Sequence, residues 1–171
     1  MNNSKIKFIT RTAMLLALTI VFQALGRTIP AGLNSNFIVG PLVNACLVVS
    51  ATLVGIYGGA VISVLAPFGA ILTGAKLPLP LAPFIALGNF VLVLAFYIFR
   101  KKKIVAIAVG SVAKFVVIYG SLLYIIPFFN LLPKNQALNL AGAAFGWPQL
   151  VTALIGGVIA LPIIMKLEKH V

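Results

Sequence analysis

Residues 82–126 read APFIALGNFVLVLAFYIFRKKKIVAIAVGSVAKFVVIYGSLLYII. Two long apolar runs flank four consecutive cations, Arg100, Lys101, Lys102 and Lys103. A helix crosses the hydrocarbon layer with about 20 mainly apolar residues, so each run is long enough to span. Cations that close one span and open the next belong on the cytoplasmic side. The stretch is therefore a membrane hairpin whose turn is inside and whose far ends are outside.

Working outward, four more apolar runs appear, at residues 8–25, 37–56, 60–74 and 145–165. Gly58 and Gly59 are expected to form a tight joint between the second and third runs. The segment Lys76-Leu77-Pro78-Leu79-Pro80 stops the third, because proline removes a donor and clashes with the preceding turn. Pro127 ends the fifth run, and a polar stretch over residues 130–139 follows. Basic residues fall unevenly about these runs. Lys5, Lys7, Arg11, Arg100, Lys101, Lys102, Lys103, Lys166 and Lys169 share one side, against Arg27, Lys76 and Lys134 on the other, with Lys114 inside a run. That asymmetry requires an even number of crossings. The prediction is an all-α integral membrane protein with six transmembrane helices, both termini cytoplasmic, residues 1–171 forming a single membrane domain. The first run also has the basic start and small residues of a signal peptide, Ala24 and Gly26. Its removal would leave an odd number of spans, so it is expected to stay.

Composition supports the membrane assignment. The 171 residues are 62% hydrophobic and 8% charged, with a mean hydropathy of +1.18. A soluble chain of this size leaves too much surface in water to hide so much apolar area. The net charge of +12 would suggest nucleic acid in a soluble protein, but these cations sit at the ends of spans and set orientation. No nucleic-acid partner is expected.

Absences exclude several functions. Glu168 in the tail is the single acidic residue, and His170 in the tail is the single histidine. Ion-coupled carriers place acids within the membrane, and none is available. Without an acid–base pair, a cluster of metal ligands or a Gly-rich phosphate loop ending in Lys and Ser/Thr, neither catalysis, metal binding nor nucleotide hydrolysis is expected. Cys46 is the only cysteine, which rules out an internal disulfide, and it is expected to pack as a small hydrophobe. No cofactor is implied. Uphill transport would draw its energy from another protein.

A few residues stand out against this background. Asn44, Asn89 and Lys114 lie near mid-span, and Tyr119 sits five residues further out. A lysine at the bilayer centre costs about 2.5–3.5 kcal/mol unless it is compensated. Lys114 therefore faces a cavity, with Asn44, Asn89, a backbone carbonyl or an anionic ligand as partner, or it snorkels toward the basic cluster about 15 Å away. Arg27, Asn34, Asn36 and Lys76 belong to outer connections, where they would attract an anion or anchor headgroups. Trp147 and Gln149 open the sixth run. The tryptophan suits an interfacial belt or a stacking platform, and the amide suits a cavity mouth. Ala13-x-x-x-Ala17 places two small residues on one helix face, for close packing inside the chain or against a partner. Gly55-x-x-x-Gly59 is read as internal packing at a turn. Faint likeness between residues 37–44 and 84–89 is too short to establish a repeat.

Ala13-x-x-x-Ala17, Gly40-Pro41-Leu42-Val43-Asn44, Ala82-Pro83-Phe84-Ile85-Ala86-Leu87-Gly88-Asn89 and Trp147-Pro148-Gln149-Leu150, on a small basic six-helix chain, resemble the substrate-binding S-component of energy-coupling factor (ECF) transporters. The resemblance implies high-affinity capture of a vitamin or related micronutrient near the outer face. It also implies docking through Ala13 and Ala17 onto a transmembrane coupling subunit carried by two ATPase subunits, in the inner membrane of a bacterium. The substrate-binding candidates are Arg27, Asn36, Asn44, Lys76, Asn89, Lys114, Tyr119, Trp147 and Gln149. Cations and amides without an acid favour an anionic or amide-rich substrate over a cationic one. A self-associating channel or pore and a ligand-free accessory subunit are the alternatives. A channel would align its polar residues along one helix face, whereas here they are scattered over three helices.

Overall fold

The computed structural model describes residues 3–29 and 35–168. Pro30, Gly32 and Asn34 of the first outer connection, and Lys169 and His170 of the tail, lie outside the described residues. Five long helices open the chain: α1 (Asn3–Leu25), α2 (Asn36–Leu53), α3 (Gly55–Leu72), α4 (Ala82–Ile98) and α5 (Lys103–Gly120). A five-residue π turn, Ser121–Ile125, and a single turn, α6 (Ile126–Phe128), prolong α5. A short helix, α7 (Lys134–Ala143), precedes the last long one, α8 (Trp147–Leu167). Among the described residues, six segments are long and apolar enough to cross a membrane: Asn3–Leu25, Asn36–Leu53, Gly55–Leu72, Leu79–Ile98, Lys103–Phe128 and Lys134–Leu167. Six crossings return the chain to its starting side.

The joint between the second and third spans is not where the sequence placed it. It falls at Val54 and Gly55, and Gly55 adopts a positive φ of 67° that a β-carbon would oppose. Gly58 and Gly59 lie within α3 and are buried. Their missing side chains let other helices approach instead. A β-carbon on Gly58 would press on Thr12 of α1, and one on Gly59 would collide with Val93 of α4. Gly55-x-x-x-Gly59 is thus a turn residue followed by an internal packing residue.

Pro127 also behaves differently from the expectation. It sits in the first turn of α6, where its missing N–H is not needed, so the helical path runs on to Phe128. The polar stretch beyond it is largely helical. Within α7, Ala137 and Ala141 are buried and Leu140 is partly buried, as is Ala144 just beyond its end. Spacings of three, four and seven residues put all four on one face.

The helices close into a ring in which α1 packs on α2 and α3, α3 on α4, α4 on α5, α5 on α8, and α8 on α2. The α2–α8 seam is tight. A β-carbon on Gly40 would meet Thr152 at 2.9 Å, and one on Gly156 would lie 2.6 Å from both Asn44 Cβ and the Pro41 carbonyl oxygen. Small residues at membrane-helix contacts allow this backbone approach.

Two apolar clusters fill the bundle. The larger one, toward the basic end, is built around Leu47, Val48, Ile62, Leu92, Val93, Phe96 and Ile107. Toward the other end, Leu81, Ile118, Leu122, Ile126, Ala137 and Ala141 form the second, with α7 as its cover. Cys46 is buried in α2, as expected of a small hydrophobe. At the basic end Lys103 and Glu168 form an ion pair joining the start of α5 to the end of α8.

Candidate functional site

Between the two apolar clusters lies a polar layer centred on Lys114. On α5 the side chain of Ile107 packs toward Gly157 of α8. Lys114 lies two turns further on along the same face, about 10 Å away. It is 3% exposed, and Asn44 and Asn89 are 2% and 3% exposed. The ammonium donates to Asn44 Oδ1 at 2.6 Å and to Asn89 Oδ1 at 2.7 Å. Lys114 therefore does not snorkel. Its charge is met by neutral amide oxygens from α2 and α4, and among the described residues its third proton has no acceptor.

Each amide turns its oxygen inward because its nitrogen is held elsewhere. Asn89 Nδ2 donates to the Ser63 carbonyl at 3.5 Å. That carbonyl lies four residues before Pro67, which has no N–H to give it, so a helix defect in α3 supplies the acceptor. Asn44 Nδ2 donates to Thr152 Oγ1 at 3.4 Å, and Thr152 Oγ1 in turn donates to the Gln149 carbonyl at 3.2 Å. Both donations from the amides are long, so these bonds orient the groups more than they stabilise them. Gln149 Nε2 reaches back to the Ala144 carbonyl at 3.4 Å, fastening the start of α8 to the end of α7.

The sequence-predicted residues fall into three groups. Asn44, Asn89 and Lys114 touch one another. Gln149 joins them only through its backbone oxygen and Thr152, while its side chain faces the α7–α8 connection. Tyr119 belongs to the outer apolar cluster, stacked on Phe115 with ring centroids 5.2 Å apart. The rest stay at the outer surface. Trp147 is 60% exposed and leans on Phe37, with centroids at 5.5 Å. Arg27, Asn36 and Lys76 are exposed. The Arg27 guanidinium lies against Gly74, whose φ of 80° and missing β-carbon leave room for it. Among the described residues, Trp147, Arg27 and Lys76 make no hydrogen bond to the Lys114 layer, and Asn36 lies two helical turns from Asn44 on α2.

Thr152, Ser63 and Pro67 are partners that sequence reasoning missed. Thr152 carried a signal, since it lies three residues after Gln149 on the same helix face. Ser63 contributes a backbone carbonyl, which side-chain chemistry does not reveal. Ser111, one turn before Lys114 on α5, is fully buried, and its hydroxyl has no partner among the described residues.

Ala13 and Ala17 are exposed, together with Met14 and Leu18, whereas Thr12, Leu15 and Thr19 face the bundle. The alanine pair is therefore not used for packing within this chain. It forms part of an open small-residue face on α1.

A ring of six apolar crossings around one buried cation and two amides defines a multi-pass membrane protein with an internal polar centre. The family model for the ECF transporter substrate-specific component matches residues 7–168, and the chain belongs to that family. It is a substrate-specific transport component and not an enzyme. No curated protein and no solved structure matches the chain.

Proposed function

We propose that this S-component captures a vitamin-like micronutrient that carries a carboxylate or phosphate, or is rich in amide and carbonyl groups, at Lys114. The observation that carries the reading is a buried ammonium held between two neutral oxygens, with no acidic side chain in any span. An uncompensated cation at this depth is costly, and an anionic or carbonyl oxygen taking the third proton offsets that cost. Asn44 and Asn89 position the ammonium. Thr152 and the Ser63 carbonyl keep their oxygens turned toward it. A permanently cationic ligand would meet like charge, without the aromatic cage or acids that such ligands require.

Burial of all three polar groups means that a ligand reaches them only when a cover parts. The outer cluster is the weaker cover, because α7 contributes little more than Ala137, Leu140 and Ala141 to it. Segments with few buried apolar contacts open at low cost. Arg27, Asn36, Lys76, Trp147 and Gln149 then line the approach, and Tyr119 adjoins the space that opens. The exposed face at Ala13 and Ala17 receives the transmembrane coupling subunit, whose two ATPase subunits supply the energy, in the inner membrane of a bacterium.

Native mass spectrometry of the detergent-purified chain, incubated with acidic, amide-rich and cationic vitamins, tests the reading. An adduct of one acidic or amide-rich vitamin is expected. Lys114→Gln abolishes it, and the amide it introduces still offers a donor to Asn44 Oδ1 or Asn89 Oδ1, so the chain stays folded, as a thermal unfolding curve in detergent checks. Ala13→Trp with Ala17→Trp keeps the adduct and loses co-purification with the coupling subunit. A chain that stays bare with every vitamin refutes ligand capture, and tight binding of the permanent cation refutes the charge argument.

A further inference from the structure

A second charged centre lies at the basic end, on the far side of the larger apolar cluster. Arg100, Lys101 and Lys102 occupy the turn between α4 and α5, closed by the Lys102 amide donating to the Phe99 carbonyl at 2.7 Å. Glu168, the only acidic side chain in the sequence, is engaged by Lys103. Glu168 borders a neighbouring cleft with Arg100 and Lys101, but among the described residues it forms no ion pair with Arg100, Lys101 or Lys102. The Arg100 guanidinium sits 5.7 Å from the centroid of the Tyr97 ring, an arrangement that holds it at the edge of the bundle.

Beside this turn runs a cleft of about 510 Å³, lined by Ile98, Phe99, Arg100, Lys101, Lys102 and Val105. Three of its six lining residues are cations and three are apolar, and most of the wall surface is apolar. The apolar half is open, with Ile98 60% and Val105 41% exposed. It reaches from the cations to the last residue of α4, Ile98, and the first turn of α5, Val105. A soluble anion would satisfy the cationic half and leave the apolar half uncovered. A zwitterionic lipid would bring an ammonium of its own against three cations. The ligand that matches both halves is amphiphilic and carries net negative charge.

We propose that this cleft is a binding site for an anionic phospholipid of the leaflet at the basic end. Its phosphate diester lies among Arg100, Lys101 and Lys102, and an acyl chain runs along Ile98, Phe99 and Val105. Basic pockets between spans on the cytoplasmic side suit such headgroups. The cleft at Ser4, Lys5, Phe8 and Ile9 offers an internal comparison, because it has one cation on its wall instead of three. The proposal is independent of what Lys114 binds.

The test is native mass spectrometry of the full chain, titrated separately with phosphatidylglycerol and phosphatidylcholine of the same acyl chains, and with glycerol phosphate. Phosphatidylglycerol is expected to bind about tenfold more tightly than phosphatidylcholine. Lys101→Gln with Lys102→Gln brings the ratio to within about twofold, and Lys5→Gln with Lys7→Gln leaves it unchanged. Arg100→Gln alone, a milder change that guards against a poorly inserted double variant, lowers the ratio about threefold. A ratio that none of the cleft substitutions moves, or that the Lys5 and Lys7 substitutions lower equally, overturns the site. Glycerol phosphate that binds as tightly as the lipid overturns the lipid assignment and leaves a site for a soluble phosphate.

Discussion

The two halves of the bundle are built on different principles. Toward the basic end, α2, α3, α4 and α8 interlock through Leu47, Val48, Ile62, Leu92, Phe96 and Ile164, all essentially fully buried. Toward the other end, Leu81 and Ile118 are as deeply buried, but the cluster is smaller and is closed by a π turn, a three-residue helix and the alanine face of α7. π turns interrupt the regular ladder and recur at functional sites. The Lys114 layer lies at the boundary, with a rigid floor and a light cover. The capture proposed for Lys114 needs that difference, because the layer has to be dry when occupied and yet reachable.

Substitutions at matched depths probe this contrast most strongly. Phe96→Ala removes a fully buried ring from the floor and is expected to cost about 3 kcal/mol or more, seen as a lower unfolding temperature for the whole bundle in detergent. Ile126→Ala, also fully buried but in the cover, is expected to cost less and to speed ligand release. Equal losses of global stability, with release unchanged, would show that the halves form one cooperative unit and break the comparison.

A smaller effect sharpens the role of the boundary layer. Asn89→Asp places a carboxylate where an amide oxygen now meets the ammonium. The pair neutralises itself, so affinity for an acidic ligand is expected to fall about tenfold while thermal stability holds or rises. Unchanged affinity in a calorimetric titration would remove the ammonium's charge from the account of binding.

The smallest expected change concerns orientation. Thr152→Val keeps the side-chain volume at the α2–α8 seam and removes the acceptor of Asn44 Nδ2. A loss of about 1 kcal/mol in ligand affinity is expected, because Asn44 is then free to rotate its oxygen away. If Thr152→Ser restores the affinity, the hydroxyl and not the packing is responsible.

Much of the site was legible because the sequence offers so few options. With no acidic side chain in any span, Lys114 had only amides, carbonyls or a ligand to turn to, and Asn44 and Asn89 are the amides at its depth. The outer residues were harder to place. Arg27, Asn36, Lys76 and Trp147 share the chemistry of binding residues with that of interfacial anchors, and composition does not separate the two. Only distance from the Lys114 layer does so. Thr152 and Ser63 escaped notice because a hydroxyl or a freed carbonyl becomes a partner through the neighbour opposite it.

By itself the sequence determined six spans, their shared basic side, and a lone mid-span cation with amides at its depth, because apolar length and charge placement are local properties of the chain; that Lys114 is buried and does not snorkel was decided by the tertiary structure. The tertiary structure decided which glycine turns and which glycines pack, and that residues 134–143 coil over the site. It also decided that Ala13 and Ala17 face outward. Those outcomes depend on how each helix is rotated about its axis. Rotation is set by the fit of side chains between helices, as at Gly59 with Val93 and Gly156 with Asn44, and no span contains that information alone.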